Sequence, residues 1–230
     1  MILKNIFDYI CDTIADLFYP PRCPVCYKYI EDRCEILCGQ CSESIMAVER
    51  YPFDRPPLKE IWRLTRYKGG TRDIILDLKF NNKLNRIAVT NKILDKALGF
   101  NIDLQKLINE IDIATFVPLH EKREKERGFN QVELIFKNWI IRQNISIERL
   151  VLRTKDTDHL YDKNLKERQQ ELNGAFSLVE GAGDKIKGKH ILILDDIFTT
   201  GTTMSKCAEI LKSNGAAEIY ALALASDFKD

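Results

Sequence analysis

The stretch HILILDDIFTTGTTM, residues 190–204, decides the fold of this chain. Its first five residues form an apolar run, as expected of a strand that is covered on both faces in a parallel sheet. Residues 204–212 have a helical pattern, Asn214-Gly215 is a good helix stop, and residues 219–225 form another apolar strand. We therefore predict a βαβ unit within an α/β fold that is built on an open parallel sheet.

Ligands of open parallel sheets bind beyond the carboxyl ends of the strands. Two acidic residues, Asp195 and Asp196, stand at this place. They are followed by a loop of hydroxyl-bearing residues around one glycine, namely Thr199, Thr200, Gly201, Thr202 and Thr203. Unpaired N–H groups and the helix dipole stabilise an anion at a helix start, so we expect the loop to bind a phosphate. The adjacent carboxylates would repel phosphate and are expected to contact sugar hydroxyls or a hydrated Mg²⁺ ion.

The sequence lacks two motifs that would indicate other kinds of nucleotide-binding site. No G-x-x-x-x-G-K-[ST] motif occurs, which excludes a P-loop, and no G-x-G-x-x-G motif occurs, which excludes the dinucleotide fingerprint. Threonine caps at an ordinary helix start, with an acidic pair that only solvates a loop, are the alternative to a ligand site.

Upstream of this unit the sequence continues to alternate between helices and strands. Residues 73–98 and 131–141 have helical patterns, and residues 111–119 are apolar and β-branched. Residues 51–57 contain three of the seven prolines and cannot continue a helix or a central strand. We therefore predict a main domain over residues 56–230 and a small N-terminal domain over residues 1–55.

The cysteines indicate what holds the N-terminal domain together. Cys23-Pro-Val-Cys26 and Cys38-Gly-Gln-Cys41 are two C-x-x-C knuckles, and together they offer the four thiolates of a tetrahedral Zn²⁺ site. Such a closed site has no open position for a substrate, so we expect the metal to be structural. A redox C-x-x-C pair is the alternative, although no strand–helix unit surrounds either pair. Cys34 has no spacing partner and is expected to be a free thiol.

Composition and the N-terminal segment limit the partners. The 230 residues include 35 basic and 34 acidic side chains, so a nucleic acid or an anionic membrane would need a local patch. The apolar residues of the N-terminal segment recur at helical spacing and predict a packing helix, with docking to a membrane surface as the alternative: Leu3, Phe7, Ile10, Ile14 and Leu17. No apolar run is long enough to span a bilayer, and we expect a cytoplasmic protein.

Residues 194–203 closely resemble the phosphoribosyl-pyrophosphate motif of type I phosphoribosyltransferases. Further segments make the resemblance specific to the ComF family of competence-related proteins: residues 17–26, 67–69, 78–80, 117–120 and 127–131, and Arg168 with residues 174–176. The resemblance spans nearly the whole chain. It implies a type I phosphoribosyltransferase-like open parallel sheet with a small N-terminal zinc domain that binds its metal through four cysteines.

The resemblance also implies roles for single residues. Asp195 and Asp196 would accept hydrogen bonds from the ribose 2′- and 3′-hydroxyls and help to place Mg²⁺, and the threonine loop would hold the 5′-phosphate of phosphoribosyl pyrophosphate. The loop that would face the pyrophosphate consists of Pro118, Leu119 and His120. Arg127 and Arg168 would supply cations to the pyrophosphate. For the neighbouring Lys122 and Lys125, a solvated charged face is an equal alternative.

Residues 154–168 are polar and long for a connection, which predicts a mobile lid over the ligand. The chain departs from the family pattern here. It has His159 near the place of a usual Gln, and Glu171 at the place of a usual Asn. A second set of C-x-x-C knuckles, present in many relatives, is also missing.

Two classes of function follow. The first is a ComF-like protein that binds phosphoribosyl pyrophosphate with Mg²⁺ and acts in natural competence. It would handle incoming single-stranded DNA with helicase or recombination factors, at the inner face of the membrane through those partners. The second is an active phosphoribosyltransferase of nucleotide metabolism that transfers phosphoribose to a base or an amine.

An aromatic and basic segment could stack on the bases of single-stranded DNA, but it is more typical of a packed strand edge: Trp62, Arg63, Arg66, Tyr67 and Lys68.

Overall fold

The computed structural model describes residue 20 and residues 22–30, 35, 37–52, 56–156 and 171–227. Several sequence predictions lie outside the described residues. These are the N-terminal helix, Cys34, most of the lid with His159, and Arg168. Among the described residues, no helix is both long enough and apolar enough to cross a bilayer.

The described residues form eight strands and eight helices. The strands are β1 (Met46–Pro52), β2 (Glu60–Arg66), β3 (Ile113–Phe116), β4 (Ser146–Ile147), β5 (Val151–Arg153), β6 (Phe176–Leu178), β7 (His190–Phe198) and β8 (Glu218–Ser226). The helices are α1 (Gly39–Ile45), α2 (Gly69–Phe80), α3 (Arg86–Phe100), α4 (Ile102–Glu110), α5 (Glu121–Arg127), α6 (Gln131–Arg142), α7 (Ala182–Ile186) and α8 (Thr202–Ser213).

The main sheet has six strands in the order β1-β2-β8-β7-β3-β4. β1 pairs with β2 in antiparallel orientation, whereas the other neighbours are parallel. β5 and β6 form a separate antiparallel pair. The predicted βαβ unit is confirmed as β7–α8–β8. β7 continues through Phe198 instead of ending at Leu194, because β8 pairs with it as far as Ser226.

The two faces of the main sheet bury different parts of the chain. Because side chains alternate along a strand, Leu192 and Leu194 of β7 face one side and Ile191 and Ile193 face the other. The first side packs with α2, α3, α4 and α6, and the second with α7, α8 and the β5–β6 pair. This alternation continues through Asp195 and Asp196 and gives the two acidic residues different surroundings, whereas Ile197 packs on the first side and Phe198 on the second.

The segment before residue 56 contributes to the main sheet. β1 lies at the edge of that sheet, and Cys23, Ile30, Leu37 and Cys41 are buried in the same cluster as the residues of α2 and α3. The domain boundary between residues 55 and 56 stays a prediction. The edge strand β1 lies on the N-terminal side of that predicted boundary.

Candidate functional site

A cleft of about 760 Å³ opens at the carboxyl ends of β3 and β7. One wall consists of the end of β7 and the threonine loop that leads into α8. A second wall comes from the end of α2, and a third from the β3–α5 loop and the start of α6. The cleft therefore lies where an open parallel sheet is expected to bind its ligand.

Asp196 is held from two sides beneath the cleft. It is only 3% exposed. One carboxylate oxygen accepts a hydrogen bond from Lys79 Nζ at 2.9 Å, and the other accepts one from Gln131 Nε2 at 2.8 Å. Gln131 Oε1 in turn accepts from the guanidinium of Arg127 at 2.5 Å. The four side chains form one network that connects α2, α5, α6 and the end of β7.

Asp195 lies on the opposite face of β7 and is half-buried. Its carboxylate accepts a hydrogen bond from the backbone N–H of Asp196 at 2.8 Å. Burial and the negative charge of Asp196 raise the pKa of Asp195 to about 8, against the opposing positive charges of Lys79 and Arg153. A divalent cation, or hydroxyl groups that donate hydrogen bonds, would stabilise the ionised form of this carboxylate.

The loop after β7 is shaped for an anion. Gly201 has φ +71°, a left-handed conformation that glycine adopts without a steric penalty, and it directly precedes α8. The hydroxyls of Thr200 and Thr202 lie 2.9 Å apart and are hydrogen-bonded. The first N–H groups of α8 have no partners within the helix and start at the cleft. Hydroxyls, N–H groups and the positive end of the helix dipole thus converge on one place.

The β3–α5 loop is fixed by hydrogen bonds to its neighbours. The backbone N–H of Val117 donates to the carbonyl of Leu194 at 2.9 Å, and Asn130 Nδ2 donates to the carbonyl of Val117 at 3.1 Å. Asn130 Oδ1 also accepts from the N–H of Val132 and caps α6. Asn130 therefore braces the loop that would face the pyrophosphate.

Basic side chains approach the cleft from three elements: Lys79 of α2, Arg123 and Arg127 of α5, and Arg153 of β5. The guanidinium of Arg127 lies 5.8 Å from the ring centre of Phe80. Burial and the positive charge of Arg123 lower the pKa of Arg153. The cleft thus brings these four basic side chains together with three acidic ones, Glu126, Asp195 and Asp196.

The four cysteines of the predicted metal site lie together. Their sulfur atoms are all within 4.8 Å of one another, and those of Cys26 and Cys38 are 3.5 Å apart. Zinc–sulfur bonds of about 2.3 Å in a tetrahedron separate the sulfurs by about 3.8 Å. Burial raises the pKa of the Cys23 thiol, but N–H groups of Cys38, Cys26 and Val25 outweigh it and lower the pKa to about 7. The cluster can hold one metal ion such as zinc.

Comparisons with known proteins agree with this geometry. Residues 104–228 match the Phosphoribosyl transferase domain. The chain is 31% identical over 112 residues to Competence protein F of Haemophilus influenzae, covering 47% of this chain and 48% of that protein. It is 26% identical over 211 residues to DNA utilization protein YhgH of Escherichia coli K12, covering 86% of each. It is 24% identical over 215 residues to Competence protein ComFC of Streptococcus pneumoniae, covering 93% of this chain and 84% of that protein.

The chain belongs to the ComF family of phosphoribosyl transferase-domain proteins. The family resemblance expected from the sequence is thereby confirmed. The fold class is confirmed as well, because the main sheet is mostly parallel and the cysteine cluster fits a small zinc domain.

In this ComF-family protein, most residues that were predicted for the site line the cleft. They are Pro118, Leu119, Arg127, Asp195, Asp196, Thr199, Thr200, Gly201, Thr202 and Thr203. His120 is not among the lining residues. It caps α5 through a hydrogen bond from the N–H of Lys122 at 3.3 Å, and its ring lies 3.9 Å from Asp156. Arg168 lies outside the described residues.

Other residues of the ComF-family site had no assigned role in the sequence. Lys79 belongs to a segment that fits the family pattern, but nothing local indicates that it reaches Asp196. Gln131 belongs to another such segment, and it contacts both Asp196 and Arg127. Arg153 ends a short strand without a motif around it. By contrast, Lys122 and Lys125 are exposed, as expected of a solvated charged face.

Proposed function

We propose that the cleft binds phosphoribosyl pyrophosphate together with Mg²⁺. The observation that carries the proposal is that the half-buried Asp195 carboxylate and the threonine loop line the same cleft. A sugar phosphate presents hydroxyls and an anion, which match these two groups. Asp195 would accept from the ribose hydroxyls and share the Mg²⁺ ion, while Asp196 would hold Lys79 and Gln131 in place.

The phosphate groups would divide between two regions of the cleft. The 5′-phosphate would bind the threonine loop, where N–H groups and the dipole of α8 favour an anion. The pyrophosphate would lie against Pro118 and Leu119, with Arg127 as a charged donor and Arg168 approaching from the lid. Mg²⁺ would offset the charge of the pyrophosphate and of Asp195 at once.

Calorimetric titration tests this proposal. Wild-type protein should bind phosphoribosyl pyrophosphate only with Mg²⁺ present, and Asp195→Asn should weaken binding at least about tenfold. Asp184→Asn is a matched control, because Asp184 is an exposed acid on α7 and does not line the cleft. Absence of binding by the wild type would overturn the proposal.

We propose that the metal of the cysteine cluster is zinc and that it is structural. Four thiolates leave no open position for a substrate, and Cys23 and Cys41 are buried. Elemental analysis of carefully reduced protein should find about one zinc per chain. Loss of the metal on replacement of Cys38 by serine, with alkylation of the remaining thiols as a control, would assign it to this cluster.

We further propose that the protein acts in DNA uptake and contacts single-stranded DNA, with partner proteins at the inner face of the membrane. The names of the relatives support the process. Two aromatic residues near the cysteines, Tyr27 and Tyr29, are 64% and 53% exposed and lie beside the cations Arg22 and Lys28. Exposed aromatics next to cations are typical of surfaces that stack unpaired bases.

The aromatic and basic segment within residues 62–68 is less suited to contact single-stranded DNA, since its Trp62 and Arg63 are only 2% and 1% exposed. Fluorescence anisotropy with a labelled single strand should give salt-dependent binding. Replacing Tyr27 and Tyr29 together by alanine should weaken it about tenfold or more. Equal binding by the double variant would exclude these tyrosines, and absence of binding by the wild type would exclude the DNA contact.

Catalysis is the second proposed function. Lys79, Arg127 and Arg153 approach the cleft and would stabilise the charge that develops on a departing pyrophosphate. A nitrogen nucleophile would then form a bond to ribose C1 as the bond to pyrophosphate breaks. Release of pyrophosphate with a panel of bases and amines separates an enzyme from a protein that only binds the ligand.

A further inference from the structure

The two residues between the first pair of cysteines, Pro24 and Val25, both contact elements that fix helix α2. At the start of the helix, Val25 packs against Gly70 so closely that a Cβ atom at position 70 would lie 2.0 Å from Val25 Cγ1. Near the end of the helix, the carbonyl of Pro24 accepts a hydrogen bond from Arg86 at 2.7 Å. The same guanidinium forms an ion pair at 2.7 Å with Asp77 of α2.

The ion pair at the end of α2 is made by buried side chains. Asp77 and Arg86 are 7% and 9% exposed, and Asp77 is satisfied further by Asn81 and Lys83. Hydrogen bonds from Lys83, Asn81 and Arg86 outweigh burial and lower the pKa of Asp77 to about 2, so it is ionised at neutral pH. A charged and desolvated contact of this kind allows little freedom in the relative position of its partners.

The C-terminal part of α2 is also a wall of the ligand cleft. Leu78, Lys79 and Phe80 line it, and Lys79 holds Asp196 at 2.9 Å. Lys79 is two residues from Asp77, so the contact between Asp77, Arg86 and Pro24 fixes the part of the α2 backbone from which the lysine side chain extends to Asp196. A single helix of about 18 Å thus connects the cysteine cluster with the carboxylates of the site.

We infer that the first cysteine knuckle is a positioning device for the ligand cleft, acting through α2 on Lys79. The metal proposed for Cys23 and Cys26 would fix the positions of Pro24 and Val25 between them, and a structural metal site loses its order when the metal is removed. Loss of the metal would then release both contacts on α2 and weaken the hold of Lys79 on Asp196. The inference rests on the proposed function for the identity of the ligand and for the metal of the cysteine cluster.

Hydrogen–deuterium exchange of the full-length protein tests the inference without any ligand. Two variants keep all four cysteines. Arg86→Gln, at the start of α3, removes both the hydrogen bond to Pro24 and the ion pair with Asp77, and Val25→Ala removes the packing at the start of α2. Gln40→Ala is the matched control, because Gln40 lies between the second pair of cysteines and is exposed towards Lys28. Metal content and the circular dichroism spectrum are measured for each variant.

We expect both variants to keep their metal and their overall fold. The amides of residues 74–80 should exchange at least about tenfold faster than in the wild type, and metal removal by a chelator should have the same effect on these amides. Gln40→Ala should exchange like the wild type. The affinity for phosphoribosyl pyrophosphate with Mg²⁺ should fall about fivefold to tenfold in Arg86→Gln and Val25→Ala, with no change in Gln40→Ala.

Unchanged exchange of residues 74–80 in both variants and in the metal-free protein would overturn the inference, whatever the ligand proves to be. If exchange increases and the wild type binds no phosphoribosyl pyrophosphate, the proposed function fails and the inference stands. If exchange increases but both variants bind the ligand as the wild type does, α2 is held by the knuckle without positioning the cleft, and the inference is wrong.

Discussion

Replacing Lys79 by methionine perturbs the most buried ion pair at the cleft. Lys79 Nζ lies 2.9 Å from Asp196 Oδ1, and the two side chains are 8% and 4% exposed. Methionine keeps most of the volume of lysine and removes the charge together with the hydrogen-bond donor. Asp196 is then left as a buried carboxylate with Gln131 as its remaining side-chain donor among the hydrogen bonds described above.

The expected loss of stability follows from this geometry. Removing one partner of a buried ion pair costs about 3–5 kcal/mol, because the other charge remains desolvated. Since Gln131 still donates to Asp196, we expect a value near the lower end, about 3 kcal/mol. For a chain of this length, that loss corresponds to a fall in the melting temperature of about 6–12 °C.

Urea denaturation at a fixed zinc concentration measures the change, and a double-mutant cycle assigns it to the pair. The double variant with Lys79→Met and Asp196→Asn should recover at least about 2 kcal/mol relative to Lys79→Met alone, because no unpaired charge remains. Lys137→Met is the control. Lys137 forms an exposed ion pair with Glu133 on α6 and should change stability by less than about 0.5 kcal/mol.

Two results would refute this reasoning. A Lys79→Met variant as stable as the control would mean that the ammonium group is hydrated in solution. A full loss that Asp196→Asn does not relieve would mean that the packing of the lysine stem, and not its charge, stabilises the fold.

Three further predictions concern pH, metal and the acidic pair. The low pKa of Asp77 contributes about 2 kcal/mol of stability that is present above about pH 4 and lost as the pH falls through about 2. The stability difference between wild type and Asp77→Asn, from denaturation at several pH values, should therefore shrink over that interval. Removal of zinc by a chelator should lower the melting temperature by about 10 °C or more in calorimetry and be reversed by added zinc. Asp195→Asn should raise the melting temperature by about 2–4 °C while it weakens ligand binding, because one of two adjacent carboxylates at a partly buried site is removed; a lower melting temperature would contradict this explanation.

The fold was largely predictable from local patterns. β7 and β8 are apolar on both faces, as strands between two helical layers must be, and the helix between them has a clear start and stop. The clustering of the four cysteines was equally predictable, because the spacing of two C-x-x-C pairs is enough to indicate a shared metal site. These features depend on residues close together in the sequence.

The features that were not predicted depend on distant parts of the chain. Lys79 and Asp196 are separated by 117 positions, and no periodicity indicates that α2 ends beside β7. The strand β1 was also missed, since the prolines that follow it suggested a boundary. The last residue of β1 is Pro52. A proline is tolerated in an edge strand because the N–H group that it lacks can be one that would face solvent.

The edge strand β1 has a consequence for any attempt to produce residues 56–230 alone. β1 pairs with β2 and covers its edge. The side chains of Glu49 and Tyr51, both in β1, contact the buried Arg63 of β2. Without β1, the backbone of β2 would present an open row of N–H and C=O groups beside the uncovered side chains of Arg63 and Trp62. Open strand edges recruit other chains, so a truncated protein is expected to self-associate. The N-terminal segment is thereby expected to protect the rest of the chain from self-association through β2.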